Sequence, residues 1–291
     1  MDVKHVDIGD DAVARVRVGP GEKLALLAGP CVIESVDSCV EQARAVKRMA
    51  TEAGLPLVFK ASFDKANRTS VTSRRGVGID EGLEALRAIR TELGVPVVTD
   101  IHTPDQAGRV GEVVDILQIP AFLCRQTDLL VAAGRTGRCV NIKKGQFLAP
   151  ELMAHAAAKV VSAAGETNAR VLLTERGTSF GYGDLVVDMR ALVTMRESGW
   201  PVVYDATHSV QKPGGRGDSS GGDRSMVSAL ARAAVAAGID AVFVETHPRP
   251  AEAFSDAATQ LPHEDLPAFL AQLVAVRACA GGPPVRPDGD T

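Results

Sequence analysis

The chain has 291 residues, of which 45% are hydrophobic and only 4% aromatic, and a net charge of -4. That length allows one large domain or two ordinary ones, with Ala, Val, Leu and Ile filling the core in place of rings. The mild acidity excludes a general nucleic-acid or membrane-surface binder, while local basic clusters remain free to hold a small anion.

The opening, MDVKHVDIGDD, carries early acids and no apolar segment, so it is not read as a secretory signal. VKHVDIG and AVARVRVG alternate around Gly9, Asp10 and Asp11, which predicts a β-hairpin over residues 1–19. Eight short apolar runs follow. They are LALLAG from Leu24, PLVFKAS from Pro56, PVVTDI from Pro96, VDILQIP from Val114, CVNIKK from Cys139, RVLLTE from Arg170, PVVYDA from Pro201 and AVFVET from Ala241. Helical patterns such as VEQARAVKRMATEAG and EGLEALRAIRTELG lie between them. Several stop at Gly54, Gly94, Gly199 or Gly238, the expected residue past a helix end. Eight strand–helix alternations predict an α/β protein. The expected form is a single (β/α)8 TIM barrel over residues 1–280, its bottom closed by the hairpin. A doubly wound open sheet is the structural rival. The stretch from Asp64 to Asp80 reads as a long cationic loop, Lys212 to Asp223 as a mobile glycine-rich lid, and residues 281–291 as a disordered tail. No apolar run reaches bilayer-spanning length.

Nearly every predicted strand ends in chemistry: Cys31, Lys60, Asp100 with His102, Gln118, Lys143, Glu175 with Arg176, Asp205 with His208, and Glu245 with His247. Polar groups at so many strand C-termini favour the barrel, because an open sheet needs them only near a switch point. Six cations, Lys60, Lys65, Arg68, Arg125, Lys143 and Arg176, sit at or beyond these ends. Their convergence suits a substrate bearing phosphate and carboxylate, since each anion wants charge-assisted donors. GxGxxG and Walker motifs are absent, so nucleotide binding has no support. In a closed barrel the tops of strands one, seven and eight meet, which brings together Cys31, His208, Glu245 and Asp256. One thiolate, one imidazole and two carboxylates make a divalent-metal site, with Zn²⁺, Fe²⁺, Mn²⁺ and Co²⁺ all compatible. The other four cysteines, Cys39, Cys124, Cys139 and Cys279, lack this setting and read as packing residues. Five scattered thiols fit a reducing cytoplasm.

The segments KASFDKANRTS, QIPAFLCRQTD and NIKKGQF resemble the 3-deoxy-D-manno-octulosonate 8-phosphate synthases, and the resemblance runs from about Leu24 to Pro262. It implies a condensation of phosphoenolpyruvate with D-arabinose 5-phosphate and water. The products are 3-deoxy-D-manno-octulosonate 8-phosphate, used for lipopolysaccharide or related cell-wall polysaccharide, and inorganic phosphate. By similarity, Lys60, Ser62, Lys65, Gln118, Lys143 and Arg176 bind phosphoenolpyruvate. Asn67, Arg68 and Thr69 hold the sugar phosphate, and Arg125 reaches a sugar phosphate from a neighbouring subunit. Asp100, His102 and Asp205 are the candidates for proton handling and sugar-hydroxyl contacts. Thr69 stands where serine is common and Gly145 where proline is common. The family has a metal-dependent form with cysteine after the first strand and a metal-free form with asparagine there, so Cys31 implies the first. It also implies a homotetramer and no Schiff-base lysine. One rival is the heptulosonate synthase that uses erythrose 4-phosphate, typically marked by a shorter KPRTS-like segment. The other is a phosphosugar-binding barrel without turnover.

Overall fold

The eight apolar runs have no polar side to show to water, which suits strands covered on both faces. In the computed structural model, which describes residues 2–68, 70–212 and 221–280, they form a closed parallel barrel. The barrel strands are Ala25–Gly29, Leu57–Lys60, Val97–Asp100, Ile116–Ile119, Cys139–Lys143, Val171–Glu175, Val202–Asp205 and Ala241–His247. Each pairs with its neighbour in chain order, and the eighth pairs with both the seventh (Val203 opposite Ala241) and the first (Ala241 opposite Ala25). This is the predicted (β/α)8 barrel, and the ring closure excludes the open sheet.

Amphipathic helices cover the outside. Val36–Glu52 starts at Ser35, whose hydroxyl accepts the Ser38 amide at 3.2 Å, and buries Val40, Ala43, Val46, Met49 and Ala50 at helical spacing. Ile79–Leu93 ends on Gly94 at φ 60° and ψ 33°, a left-handed cap that glycine adopts without strain. No described helix is long and apolar enough to cross a membrane.

The hairpin pairs Val6–Ile8 with Val16–Val18 and buries Val6, Ile8, Val16 and Val18, while Asp7 and Arg17 face water. Lys4 N donates to Gly199 O and Ala14 N to Gly94 O, each at 2.9 Å. Both acceptors lie just before barrel strands, so the hairpin does cover the strand N-termini. Arg90 reinforces the seam by pairing with both Asp10 and Asp115.

Two features differ from the sequence reading. Thr178–Phe180 and Asp184–Val186 form an exposed hairpin that no alternation announced. Within the glycine-rich stretch, Gln211–Lys212 pairs antiparallel with Gly221–Gly222. Residues 213–220 of the expected lid, Thr69, and the tail 281–291 lie outside the described residues.

Candidate active site

The strand C-termini open into a cavity of about 840 Å³. Lys60, Asp100, Lys143 and Asp205 reach it as the last residues of strands, Gln118 from within one and Arg176 as the residue after one, while the others come from the loops beyond. Its lining includes Lys60, Lys65, Arg68, Asp100, His102 and Gln118, and also Asn67, Lys143, Arg176, Asp205, His208 and Asp256. Ser62, Cys31 and Glu245 are buried just beneath, joined to the lining by direct contacts. Arg125 is not brought in. Its chain turns away through a short 3-10 segment, Ala121–Leu123, and Arg125 lines a separate cavity of about 240 Å³ beside His155 and Lys159.

Three of the cations, Lys60, Lys143 and Arg176, are far from solvated surface charges. Lys60 is fully buried and donates to Glu245 Oε1 at 2.6 Å, to Cys31 O at 2.9 Å and to Pro30 O at 3.5 Å. Its three protons are thus taken by protein acceptors, although it lines the cavity. The close approach of the first two strands that allows this depends on Gly29. A Cβ there would sit 2.1 Å from Lys60 O. Lys65 donates to Ser62 Oγ at 2.9 Å and lies 3.6 Å from Asp100. Lys143 pairs with Asp205 and lies 3.3 Å from the centroid of the Phe243 ring. Burial outweighs the Asp205 charge and lowers the Lys143 ammonium to about 8. Arg176 is buried. Its Nη2 donates to Gln211 Oε1 at 2.9 Å, while its Nη1 is shut from solvent without a partner. Arg68 spends Nε on Arg74 O (2.9 Å), Nη1 on Ser255 Oγ (2.7 Å) and Nη2 on Phe254 O (2.8 Å), tying two loops together.

The carboxylates are equally constrained. Burial pushes the Asp100 carboxyl up, but Lys65 and Lys60 outweigh it and hold the group well below the usual range. Its two oxygens accept from Ser62 Oγ and Gln118 Nε2. Asp205 is likewise held low, burial being overcome by His208 and Lys143. It accepts the His208 amide at 2.9 Å, and its Oδ2 lies 2.8 Å from His208 Nδ1. His102 differs: burial lowers its imidazole, and its Nδ1 is buried without a partner.

Three of the four residues expected as metal ligands cluster, with His208 close by. Cys31, Glu245 and Asp256 each offer an atom within 4.8 Å of the others, and Cys31 Sγ lies 3.3 Å from Asp256 Oδ2. His208 Nε2 is 3.5 Å from both Glu245 Oε1 and Asp256 Oδ2. Glu245 Oε2 is buried with no hydrogen-bond partner. Burial and the two carboxylates push the Cys31 thiol well up, so the thiol stays protonated unless a metal ion takes the proton's place. An N, S and O donor set with an orphaned carboxylate oxygen fits a divalent transition metal.

A sequence profile of the DAHP synthetase I family matches residues 5–279, nearly the whole chain. The chain belongs to the DAHP synthetase I family. It is 56% identical over 270 residues to a protein of Syntrophotalea carbinolica named 2-dehydro-3-deoxyphosphooctonate aldolase, covering 93% of this chain and 96% of that one. Proteins of the same name from Nitratidesulfovibrio vulgaris (strain DP4) and a Cyanothece species are 60% identical over 251 residues and 54% over 260. They cover 86% and 89% of this chain and 91% and 94% of their own lengths.

In this DAHP synthetase I chain, sequence reasoning missed a buried polar relay. Thr174 Oγ1 donates to Asn141 Oδ1 at 2.5 Å, Asn141 Nδ2 donates to Gln118 Oε1 at 2.9 Å, and Gln118 reaches Asp100. The relay crosses strands three to six and fixes the floor of the cavity. A signal existed, because asparagine in the middle of the otherwise apolar CVNIKK is out of place unless it has partners. Thr207, whose hydroxyl accepts the Glu245 amide at 3.0 Å, gave no comparable signal.

Proposed function

We propose that this cavity condenses phosphoenolpyruvate with D-arabinose 5-phosphate and water, releasing inorganic phosphate and 3-deoxy-D-manno-octulosonate 8-phosphate. The relatives' shared name, 2-dehydro-3-deoxyphosphooctonate aldolase, points to this product. Among structural observations, the one that carries the reading is Arg176. A guanidinium donor buried at the cavity wall without an acceptor is costly, and a substrate carboxylate or phosphate relieves it.

In this reaction C3 of phosphoenolpyruvate bonds to C1 of the sugar aldehyde, whose oxygen takes a proton. Water adds at C2, and the C2–O bond to phosphate breaks. Two polyanions must lie side by side, and like charges repel strongly where water is excluded. Lys65, Lys143 and Arg176 offset that repulsion, with Gln118 held in place by the relay. Asn67 and Arg68 take the sugar phosphate, with Thr69, and Arg125 from a neighbouring subunit, completing its contacts. Lys60 is better placed to neutralise Glu245 and hold the Cys31 carbonyl than to reach a substrate. Asp100 and Asp205 stay ionised and orient their neighbours, which leaves His102, neutral near pH 7, as the proton carrier. Cys31, His208, Glu245 and Asp256 would hold a divalent ion, Zn²⁺, Fe²⁺, Mn²⁺ or Co²⁺, which when bound supplies Lewis-acid polarisation of an oxygen.

The reading includes a homotetramer in the cytoplasm. Exposed Phe122, Phe147 and Phe180 offer apolar surface for a second copy, and Arg125 lies outside its own chain's large cavity. All five cysteines are free, as a reducing compartment requires.

Purified protein should release phosphate from phosphoenolpyruvate far faster with arabinose 5-phosphate than with erythrose 4-phosphate. The reverse preference would assign it to the heptulosonate reaction, and no turnover with either would leave a binding barrel. A pH profile adds a second check. Lys143 loses its proton as pH rises through about 8, so anion capture weakens on the alkaline side. The kcat/KM for phosphoenolpyruvate should therefore fall above about pH 8, and Lys143→Arg should move that limb beyond the accessible range. An unchanged limb in Lys143→Arg would assign it to another group.

A further inference from the structure

We infer that Gln260 is a positioning residue of the metal centre, its side-chain amide setting the separation between the Cys31 and Asp256 ligands. This rests on the reading above that these residues hold a divalent ion. Gln260 is 1% exposed. Its Oε1 accepts the Cys31 amide at 3.2 Å, and its Nε2 donates to Ser255 O, next to Asp256, at 2.7 Å. One planar amide therefore grips the backbone at one ligand and beside another.

The two ligands need such a grip. Cys31 follows the first barrel strand and Asp256 sits in the loop after the eighth, 225 positions apart. Asp256 has φ 51°, the one described non-glycine residue with a positive φ, in a region uncommon for side-chain-bearing residues but open to Asp in tight turns. Asp256 O accepts from Thr259 N at 3.0 Å and from Gln260 N at 3.1 Å, closing a tight turn whose last residue is Gln260 itself. The turn thus aims the Gln260 side chain back across its own mouth toward Cys31. An amide supplies the donor and acceptor this crossing needs, whereas a carboxylate lacks the donor and an apolar side chain lacks both. Outer partners that orient ligands without touching the metal typically shift metal affinity by about 10- to 100-fold.

The test uses the whole chain, stripped with chelator and titrated with Co²⁺. The readouts are the dissociation constant, the near-ultraviolet thiolate-to-cobalt band and the melting temperature of the metal-free protein. Two variants are compared with the parent, the volume-matched Gln260→Met and the truncating Gln260→Ala, so that a folding failure in one leaves the other to decide. The expected result is Co²⁺ binding weakened by about 10- to 100-fold with a diminished or shifted thiolate band. Parent-like affinity and band in a folded variant, even with a lower metal-free melting temperature, would overturn the inference and make Gln260 a packing residue. A parent that binds no Co²⁺ and shows no thiolate band would instead overturn the metal reading itself.

Discussion

Removing divalent metal should cost this protein on the order of a thousandfold or more in phosphate release, because Lewis-acid polarisation supplies several kcal/mol. Added metal should restore the rate. Cys31→Asn sharpens the experiment. The thiol lies 3.3 Å from Asp256 Oδ2, so an amide in its place can hydrogen-bond to the same carboxylate. His208, Glu245 and Asp256 then remain as a harder, weaker ligand set, and bound metal should fall. The measurements are metal content by mass spectrometry and the rate in chelator. Full metal occupancy in Cys31→Asn, or parent activity indifferent to chelator, would reduce the cluster to a structural feature.

Arg176→Ala should lower kcat/KM for phosphoenolpyruvate by about 10- to 150-fold, the worth of one charge-assisted contact at roughly 1.5–3 kcal/mol. The sugar KM should move much less. Arg176 makes a single described side-chain hydrogen bond, to Gln211 Oε1, so its deletion leaves no buried carboxylate unpaired. Lys60→Ala would be a poorer probe, since it strands Glu245 and conflates folding with binding. Arg176→Lys should recover only part of the loss, because a lysine offers a point charge where the guanidinium presents a fork. A phosphoenolpyruvate KM equal to the parent's in Arg176→Ala would remove this residue from the anion site.

The barrel was legible because strand and helix periods alternate cleanly and the polar residues fall at strand ends. Cys31, His208, Glu245 and Asp256 could be grouped from sequence once ring closure was assumed, since closure alone makes strands one, seven and eight neighbours. The direction of individual side chains was not legible. Arg125 lies six residues past the strand that ends at Ile119, and the intervening three-residue turn sets it in another cavity, apart from the Lys60 and Lys143 strand ends. Lys60 looked like a free cation because its acceptors, Pro30 O, Cys31 O and Glu245, come from two other strand ends. The Thr178–Phe180 hairpin escaped notice because its residues are exposed on both sides and so carry no hydrophobic alternation. Gln260 escaped because nothing local marks a glutamine whose partner is 229 positions away.

The seam between the first and last strands, where Glu245 stands opposite Gly29, carries the Cys31, Glu245 and Asp256 cluster. A ribosome delivers this chain N-terminus first, so the thiol emerges early and waits for most of the polypeptide before its carboxylate neighbours exist. No nascent fragment that lacks the final strand can therefore assemble the cluster, and any ion it takes up would be loaded into the finished ring. The same placement makes truncation from the C-terminal side costly: a chain cut before Glu245 loses Glu245 and Asp256, the end of the closing strand and the Leu266–Cys279 helix in one stroke.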